Sequence, residues 1–408
     1  MTSAYLLYID PGTGSMLFSL FIGLAAAATF GLRALFMKLK FVLSGGKVSK
    51  EDSKNIPFVI FSDHKRYWNV FKPICDEFEK RGVPVVFYTA SADDPALIAD
   101  YTHVKAEYLG EKNKPYAKLN MLHADLLLAT TPGLDIYQWK RSKGVKCYVH
   151  IPHSISDFAG YRQFALDYYD CVIASGENQL PSMRKLEELR PSLRKKEFKV
   201  VGSTYLDSMK KRLDSMEKLV PNNKKIVLVA PTWGKSGILA KFGEAFLSSL
   251  QKTDFKIIVR PHPQSVVSEQ NILKPLQEKF SDFEWNFDND NFDVLNRADI
   301  MITDFSGVMF DYSLVFDKPL IYTDTEFDKS PYDADWLDEP MWEFTILDKL
   351  GIQLKEEQFP DMQNVIEKAI ASESLKESRK EVRAAAWQNQ GNAAKSVVDF
   401  LIEKQKSL

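Results

Sequence analysis

Short apolar runs alternate with amphipathic segments along the first half of the chain. The runs predict strands at Pro57–Phe61, Val83–Tyr88, Asp125–Ala129, Val145–His150 and Cys171–Ala174. Helical periodicity fills several of the intervals, as at Asn69–Gly82, which ends on a glycine typical of a helix C-terminus. Strands that alternate with helices in this way indicate a parallel sheet covered on both faces.

A second series of the same kind begins near Lys224. Strands are predicted at Lys224–Thr232, Phe255–Pro263, Phe283–Phe287, Ala298–Ser306 and Lys318–Asp324, and helices at Ile238–Gln251, Ile272–Phe280 and Gly307–Phe316. The expected fold class is therefore α/β, with two doubly wound, Rossmann-like domains in tandem. The amphipathic stretch Glu356–Leu408 is predicted to be helical and to pack back across the junction between them.

The N-terminal pattern is different, because Ser15–Leu32 is apolar and carries no charge. A helix of this length spans roughly 27 Å, which is enough for a thin bilayer core, and a membrane helix is the favoured interpretation. A helix lying at the membrane surface, or packed on the soluble body, is the alternative. Basic residues follow the stretch, so the positive-inside rule predicts a single-pass protein of the cell membrane whose larger part is cytoplasmic.

These patterns divide the chain into four predicted segments. They are a membrane anchor at 1–48, an N-terminal acceptor domain at 49–205, a C-terminal donor domain at 206–375 and C-terminal helices at 376–408. The whole chain of 408 residues has 45% hydrophobic and 26% charged residues, which is the composition of an ordinary globular protein. Its net charge is −2, with 53 basic and 55 acidic residues, so no nucleic-acid partner is expected and an anionic ligand must be bound locally.

An Arg-Pro-His-Pro sequence ends one of the predicted strands. Arg260 and His262 each precede a proline, which holds both in extended backbone, and at i and i+2 their side chains leave the same face. A guanidinium binds phosphate through paired hydrogen bonds, and an imidazole donates to a bridging or leaving oxygen. The motif predicts a phosphate site; a rigid loop whose arginine pairs with a carboxylate is the alternative.

The following strand ends in a cluster of small and hydroxylated residues. Ser306 and Gly307 fall at a helix N-terminus, where free N–H groups and the helix dipole favour an anion such as pyrophosphate. Asp304 is expected to cap this helix. Asp311 has two open interpretations: it accepts a hydrogen bond from a ligand hydroxyl, or it pairs with Arg260.

Two more strand ends carry candidate residues. In the loop Ala230–Gly237, Thr232 and Lys235 suit a phosphate or nucleotide edge, although the spacing differs from that of a P-loop. After the strand at Val145–His150, His153 is the candidate general base, and Asp157 is near enough in sequence to orient it. His150 is expected in the core. The His-x-x-His pair lacks companion ligands, so no metal site is predicted, and no cofactor.

Taken in order, these strand ends resemble the CDP-glycerol glycerophosphotransferase family, bacterial enzymes that prime and polymerise teichoic acids and related wall polymers on a GT-B framework. The matching pieces are His150–Asp157, Val201–Asp207, Ala230–Trp233, Arg260–Pro263 and Ile302–Tyr322. The chain departs from the family pattern at Ser154, where glycine is usual, and at Thr204 and Tyr205, which replace Pro-Arg. Gly234 and Lys235 follow Trp233 where the family carries arginine, so two family arginines are absent.

The resemblance implies a GT-B-like fold whose two domains face a cleft. It implies that His153 acts as the base, that His262 contacts the donor diphosphate, and that Ser306 and Gly307 hold that diphosphate. A CDP-polyol such as CDP-glycerol would then give its polyol phosphate to an acceptor hydroxyl and release CMP. An enzyme held at the membrane suits a lipid-linked glycan acceptor.

Two other functions fit the same sequence. A nucleotide-sugar glycosyltransferase of GT-B fold would attack carbon rather than phosphorus. A non-catalytic GT-B-like scaffold at the membrane would need neither histidine, and the presence of both His153 and His262 argues against it.

Overall fold

The computed structural model describes residues 55–217, 223–288 and 290–408. The membrane helix predicted at Ser15–Leu32, and the predicted anchor at 1–48, lie outside these residues. Within the described part, no helix is both long enough and apolar enough to cross a membrane.

The first sheet is built from the N-terminal half of the described chain. Its strands are β1 (Ile56–Ser62), β2 (Val85–Thr89), β3 (Val104–Tyr108), β4 (His123–Ala129), β5 (Gly144–His150), β6 (Cys171–Ala174) and β7 (Glu197–Val200). All are parallel, in the order β3-β2-β1-β4-β5-β6-β7. Val59 and Phe61 enter one apolar core and Phe58 and Ile60 the opposite one, which explains why β1 is apolar without alternation.

The second sheet repeats this arrangement. Its strands are β8 (Ile226–Val229), β9 (Lys256–Val259), β10 (Glu284–Trp285), β11 (Ile300–Thr303), β12 (Leu320–Thr323) and β13 (Gly351–Leu354). They are parallel, in the order β10-β9-β8-β11-β12-β13. In both sheets the strand order reverses once, between β1 and β4 and between β8 and β11, and ligands bind outside the strand ends at such points.

Helices cover both sheets. Those of the described residues are Trp68–Lys80, Lys114–Leu119, Leu180–Leu189, Thr204–Ser215, Ile238–Lys241, Gly243–Gln251, Pro263–Ser268, Gln270–Lys279, Phe292–Arg297, Val308–Phe310, Leu347–Leu350, Met362–Ala371, Glu373–Ala386 and Ala393–Lys406. The short helix Val308–Phe310 continues directly into a π-helical turn, Asp311–Val315. The prediction of two parallel α/β sheets is confirmed, and the architecture is GT-B-like.

Three strands were not predicted, and all of them lie at sheet edges. β3, β7 and β13 each pair on one side only in the sheet order. β3 and β7 alternate buried or half-buried with exposed charged residues, so neither forms an apolar run in the sequence. Polar edge strands of this kind discourage pairing with other chains, and the same property hides them from a search for apolar runs.

The C-terminal helices contact the cores of both sheets. Val397 and Leu401 of Ala393–Lys406 belong to the core over one face of the first sheet. Ala386 and Trp387, at the end of Glu373–Ala386, belong to the core of the second sheet. The limits expected after residues 205 and 375 fall inside the helices Thr204–Ser215 and Glu373–Ala386, because an amphipathic helix continues across each position.

Candidate functional site

Loops at the ends of strands from both sheets line two adjoining cavities. The first, which we call the cationic cavity, has a volume of about 450 Å³ and contains Arg66, Arg260 and His262. The second, the aromatic cavity, has a volume of about 440 Å³ and contains Phe327 and Phe344. Together they form the cleft in which the predicted site residues are found.

The two cavities meet at a single place. Of the described residues, His153, Ser154 and Gly307 are the ones that line both. His153 and Ser154 follow β5 of the first sheet, whereas Gly307 follows β11 of the second. A β-carbon on Gly307 would lie 3.3 Å from Ser154 Oγ, so the two sheets approach each other closely here. A group bound in one cavity can therefore reach a group bound in the other at this junction.

His262 is held in one tautomer by the backbone of its own helix. Pro263 begins the helix Pro263–Ser268, and His262 Nδ1 accepts a hydrogen bond of 3.1 Å from the Gln264 N–H. The ring proton therefore resides on Nε2. Burial and the charge of Arg66 lower the pKa of His262 to about 4, so the ring is neutral at pH 7 and donates through Nε2. The two prolines of the motif thus fix a hydrogen-bond donor.

His153 lies at the junction, with its ring 5.0 Å from the ring of Tyr67. Desolvation by the surrounding protein and the charge of Arg66 lower the pKa of His153 to about 4. The ring is neutral at pH 7 and can accept a proton. An anionic ligand that offsets the Arg66 charge would raise this pKa and make His153 a stronger base. His150, as expected, is buried in the core, where Nε2 lies 3.1 Å from the Tyr161 hydroxyl.

Asp157 does not have the role expected for it. Its Oδ1 accepts from the Ala159 N–H at 2.9 Å, and its Oδ2 accepts from the Ser182 hydroxyl at 2.7 Å and the Trp342 N–H at 3.0 Å. The buried carboxylate therefore caps a turn and ties the loop after β5 to the chain at Trp342. The prediction that Asp157 orients His153 is wrong, because its hydrogen bonds are made elsewhere.

Arg260 and Asp311 both line the cationic cavity but do not pair with each other. Arg260 donates to the Asn286 side chain and, at 2.8 Å, to the Asp288 carbonyl. Asp311 Oδ2 accepts from the Tyr205 hydroxyl at 3.2 Å and from Asn291 at 3.4 Å. Burial raises the pKa of Asp311 to about 7. Of the two interpretations of Asp311, pairing with Arg260 is therefore excluded, and its Oδ1 takes part in neither of these bonds.

Asp304 directly follows β11 of the second sheet and holds the loops beside the junction in place. Its buried carboxylate accepts from the N–H groups of Thr232 at 2.9 Å, Ile238 at 3.2 Å and Ser306 at 3.0 Å. It caps the turn at Ser306 as expected, and it also fixes the loop after β8. The Ser306 N–H is thereby occupied, which corrects the expectation that it is free for an anion. The N–H groups of Gly307 and Val308 precede the first bond of this helix, which Met309 donates to Ser306.

Thr232 and Lys235 are in the cleft, but they do not line the cationic cavity that contains Arg260 and His262. Both line the aromatic cavity, and Lys235 is exposed there. The prediction that they bind a phosphate or nucleotide edge stays a prediction.

Arg66 is the residue that sequence reasoning missed. It follows β1, lines the cationic cavity, and forms no ion pair within 4 Å in the described part of the chain. Its charge lowers the pKa of both His153 and His262, which places it near both rings. An arginine in the loop after an apolar run was the available sequence signal, but Arg66 stands among other charged residues and was not singled out.

The Val201–Asp207 motif has a structural role. Gly202 has a φ of +94°, and a β-carbon there would lie 2.3 Å from the Gln388 carbonyl oxygen. Asp207 accepts from Trp387 Nε1 at 2.9 Å, the Gly391 N–H at 2.8 Å and the Ala393 N–H at 3.0 Å. The motif therefore anchors the turn between the last two helices beside the cleft. Tyr205, where the family carries arginine, instead contacts Asp311.

The fold and the paired cavities define a protein of GT-B type. Residues 202–339 match the model of a family described as CDP-glycerol:poly(glycerophosphate) glycerophosphotransferase. A teichoic acid glycerol-phosphate primase from Bacillus subtilis is 25% identical over 280 residues, which are 62% of this chain and 70% of the primase. A teichoic acid glycerol-phosphate transferase from Staphylococcus aureus is 29% identical over 133 residues, 31% of either chain. The chain is therefore similar to teichoic acid glycerol-phosphate primases and transferases, and residues 202–339 carry the part that matches the family model.

A solved structure supports the fold independently. The wall teichoic acid polymerase TagF superposes with a TM-score of 0.58 at 16% identity, and the match covers 92% of this chain and 98% of that chain. The likeness extends over both sheets and supports the fold.

Proposed function

We propose that this protein transfers a polyol phosphate, such as glycerol phosphate, from a CDP-activated donor to a hydroxyl of a membrane-linked glycan or polymer, and releases CMP. The observation that carries the proposal is the junction of the two cavities at His153, Ser154 and Gly307. A group-transfer enzyme needs a donor and an acceptor site that share one boundary, with a base at that boundary.

The cationic cavity suits the donor. His262 offers a neutral Nε2–H donor, and the N–H groups of Gly307 and Val308 lie at the beginning of a helix, where a diphosphate is stabilised. Arg66 supplies a positive charge that forms no ion pair within 4 Å among the described residues. Asp311 Oδ1 is placed to accept from a ribose hydroxyl. The similar Bacillus subtilis protein is a teichoic acid glycerol-phosphate primase, and a TagF structure was obtained after soaking with CDPG, which supports a CDP-linked donor.

The transfer step then uses His153. The acceptor oxygen attacks the phosphorus that bears the polyol and loses its proton to the neutral His153 ring. A new acceptor O–P bond forms, and the bond from this phosphorus to the oxygen bridging the two phosphates breaks. The electron pair of that bond leaves with CMP, whose new charge faces Arg66 and the His262 Nε2–H. The protein thus catalyses the transfer by positioning the acceptor and the donor phosphate and by stabilising the charge on the leaving CMP.

The place of the reaction is also part of the proposal. We propose that the uncharged run Ser15–Leu32 anchors the protein in the cell membrane with the described residues on the cytoplasmic side. Its support is the sequence pattern, with lysines and arginines following the run. Carbonate extraction of membranes, with protease treatment of intact and opened cells, tests both statements.

The donor is identified by thermal-shift titration of the full-length protein and by analysis of the nucleotide product. We expect CDP-glycerol, CDP-ribitol or CMP to stabilise the protein, UDP-glucose and GDP-mannose to have no effect, and the shift to be lost in His262→Ala. The product should be CMP. Release of a nucleoside diphosphate from a nucleotide sugar would instead show sugar transfer, and absence of any ligand effect would favour a scaffold.

A further inference from the structure

The ring of His153 has no polar partner that could hold it in one orientation. Among residues 55–217, 223–288 and 290–408, no hydrogen bond or ion pair involves either ring nitrogen of His153. Asp157, the partner expected from the sequence, is bound elsewhere, and the His153 side chain is open to the cleft. A general base needs a fixed geometry for efficient proton transfer. A packing contact is what remains to orient this ring.

Tyr67 supplies such a contact. Its ring centroid lies 5.0 Å from that of His153, at an interplanar angle of 49°. The guanidinium carbon of Arg66 lies 5.3 Å from the same Tyr67 centroid, within the range of a cation–π contact. All three side chains line the cationic cavity. One ring therefore contacts both the base and the arginine.

The backbone that carries Tyr67 is itself fixed. Tyr67 ends a 3-10 turn, Lys65–Tyr67, which follows β1. His64 Nδ1 accepts from the Arg66 N–H at 3.1 Å, and the His64 carbonyl accepts from the Tyr67 N–H at 3.0 Å. The first N–H of the turn donates to Ser91 Oγ, in the loop after β2, at 3.0 Å. The turn is thus capped by its own chain and tied to the end of a neighbouring strand.

The ring of Tyr67, and not its hydroxyl, makes the contact with His153. Burial and the charge of Asp63 raise the pKa of Tyr67 above its ordinary value, so the phenol is protonated at pH 7 and is not a base. The ring also takes the place of water beside His153. Desolvation is the largest cause that lowers the pKa of His153 to about 4, and the charge of Arg66 is the second.

We infer that Tyr67 is a positioning residue for the transfer, whose ring fixes the orientation of His153 and the place of Arg66. The inference rests on the proposed function, because it concerns the base and the arginine of that reaction. The base and the charge that faces the leaving phosphate are then held as one unit on the turn after β1. Loss of the ring would misdirect the base and release the arginine together.

Four variants of the full-length protein test the inference by CMP release from CDP-glycerol. The acceptor is an alkyl disaccharide that carries one glycerol phosphate unit. Tyr67→Leu and Tyr67→Met remove the ring but keep apolar volume, and each should lower kcat by at least about tenfold. Tyr67→Phe keeps the ring and should retain kcat within about twofold. Tyr101→Leu removes another half-buried tyrosine of the same apolar core, outside both cavities, and should leave kcat unchanged.

The pKa of His153, measured by NMR titration, separates positioning from a loss of folded protein. Desolvation and the Arg66 charge lower this pKa, so removal of the ring should raise it by about one pH unit. The acid limb of kcat/KM should move to higher pH by the same amount, because the base must be unprotonated. The titratable groups near His153 include Arg66 and His150, and Tyr101→Leu leaves both in place.

Neither the pKa nor the position of the acid limb depends on how much of a variant is folded. An unchanged His153 pKa in Tyr67→Leu and Tyr67→Met would overturn the inference. A wild-type kcat in either variant, or a loss in Tyr67→Phe equal to that in Tyr67→Leu, would also overturn it.

Failure of the proposed function gives a different result. If the protein did not use a CDP-polyol, the wild type itself would neither bind CMP nor release it from CDP-glycerol. If only the role of Tyr67 were wrong, the wild type would release CMP and the variants without the ring would release it at the same rate.

Discussion

Ser154 Oγ lies 3.3 Å from the position that a β-carbon on Gly307 would occupy, although the two residues belong to loops of different sheets. Gly307 has helical backbone, with φ −55° and ψ −21°, so alanine fits there without backbone strain. The methyl group of the alanine would instead narrow the junction of the cavities. We expect Gly307→Ala to lower kcat/KM by about tenfold while the melting temperature changes little.

A second substitution tests whether this effect is steric. Ser154→Gly removes the hydroxyl that the new methyl group would meet, so the double variant Gly307→Ala, Ser154→Gly should recover most of the lost activity. If the double variant were as slow as Gly307→Ala, crowding at the junction would not be the cause.

Arg66 should matter for charge and not for packing. We expect Arg66→Gln to lower kcat by about a hundredfold, because a charge that faces the leaving phosphate is lost, and Arg66→Lys to restore part of it. The pKa values of His153 and His262 should rise in Arg66→Gln, since the Arg66 charge lowers both. Histidine titration by NMR and steady-state kinetics measure these effects. Arg194→Gln, which removes an exposed arginine paired with Asp170, is the control. It should leave kcat and both histidine pKa values unchanged.

Ionisation of Asp311 should make the affinity for the nucleoside depend on pH. Burial raises its pKa to about 7, so the carboxyl is mostly protonated at pH 6 and ionised at pH 8. A ribose hydroxyl donates to the ionised form, and cytidine should therefore bind more tightly as the pH rises from 6 to 8. Cytidine is chosen because it has no phosphate that titrates in this range. Calorimetry should show no such rise for Asp311→Asn; a rise that persists in this variant would assign the pH dependence to another group.

Asp207 should contribute to stability. It accepts three hydrogen bonds from Trp387, Gly391 and Ala393, so we expect Asp207→Ala to lower the free energy of unfolding by about 2–4 kcal/mol. CMP binding by the protein that remains folded should be nearly unchanged. Asp214→Ala, on the same helix, removes an exposed ion pair with Lys210 and should cost less than about 1 kcal/mol. Chemical denaturation compares the two, and equal losses would contradict the structural role.

Buried strands were predictable because both faces of each sheet are covered, which leaves apolar runs such as those of β1 and β8. The same physical reasoning placed His153, His262 and Gly307 at strand ends, and the family resemblance implied that the two sets of strand ends face one cleft. It failed for Asp157, because proximity in sequence does not show which backbone amides will take a carboxylate. It also missed Arg66, whose importance depends on the distance between loops of two sheets. Contacts between elements far apart in the chain could not be predicted from sequence patterns alone.

The central claim is that transfer occurs at the junction, with His153 as the base. The direct measurement is CMP release from CDP-glycerol by full-length wild type and His153→Ala in the presence of a hydroxyl acceptor, with CMP binding measured on both proteins. We predict that His153→Ala binds CMP as wild type does and releases it from CDP-glycerol at least about a hundredfold more slowly. Release at the wild-type rate by a folded His153→Ala protein would contradict the claim.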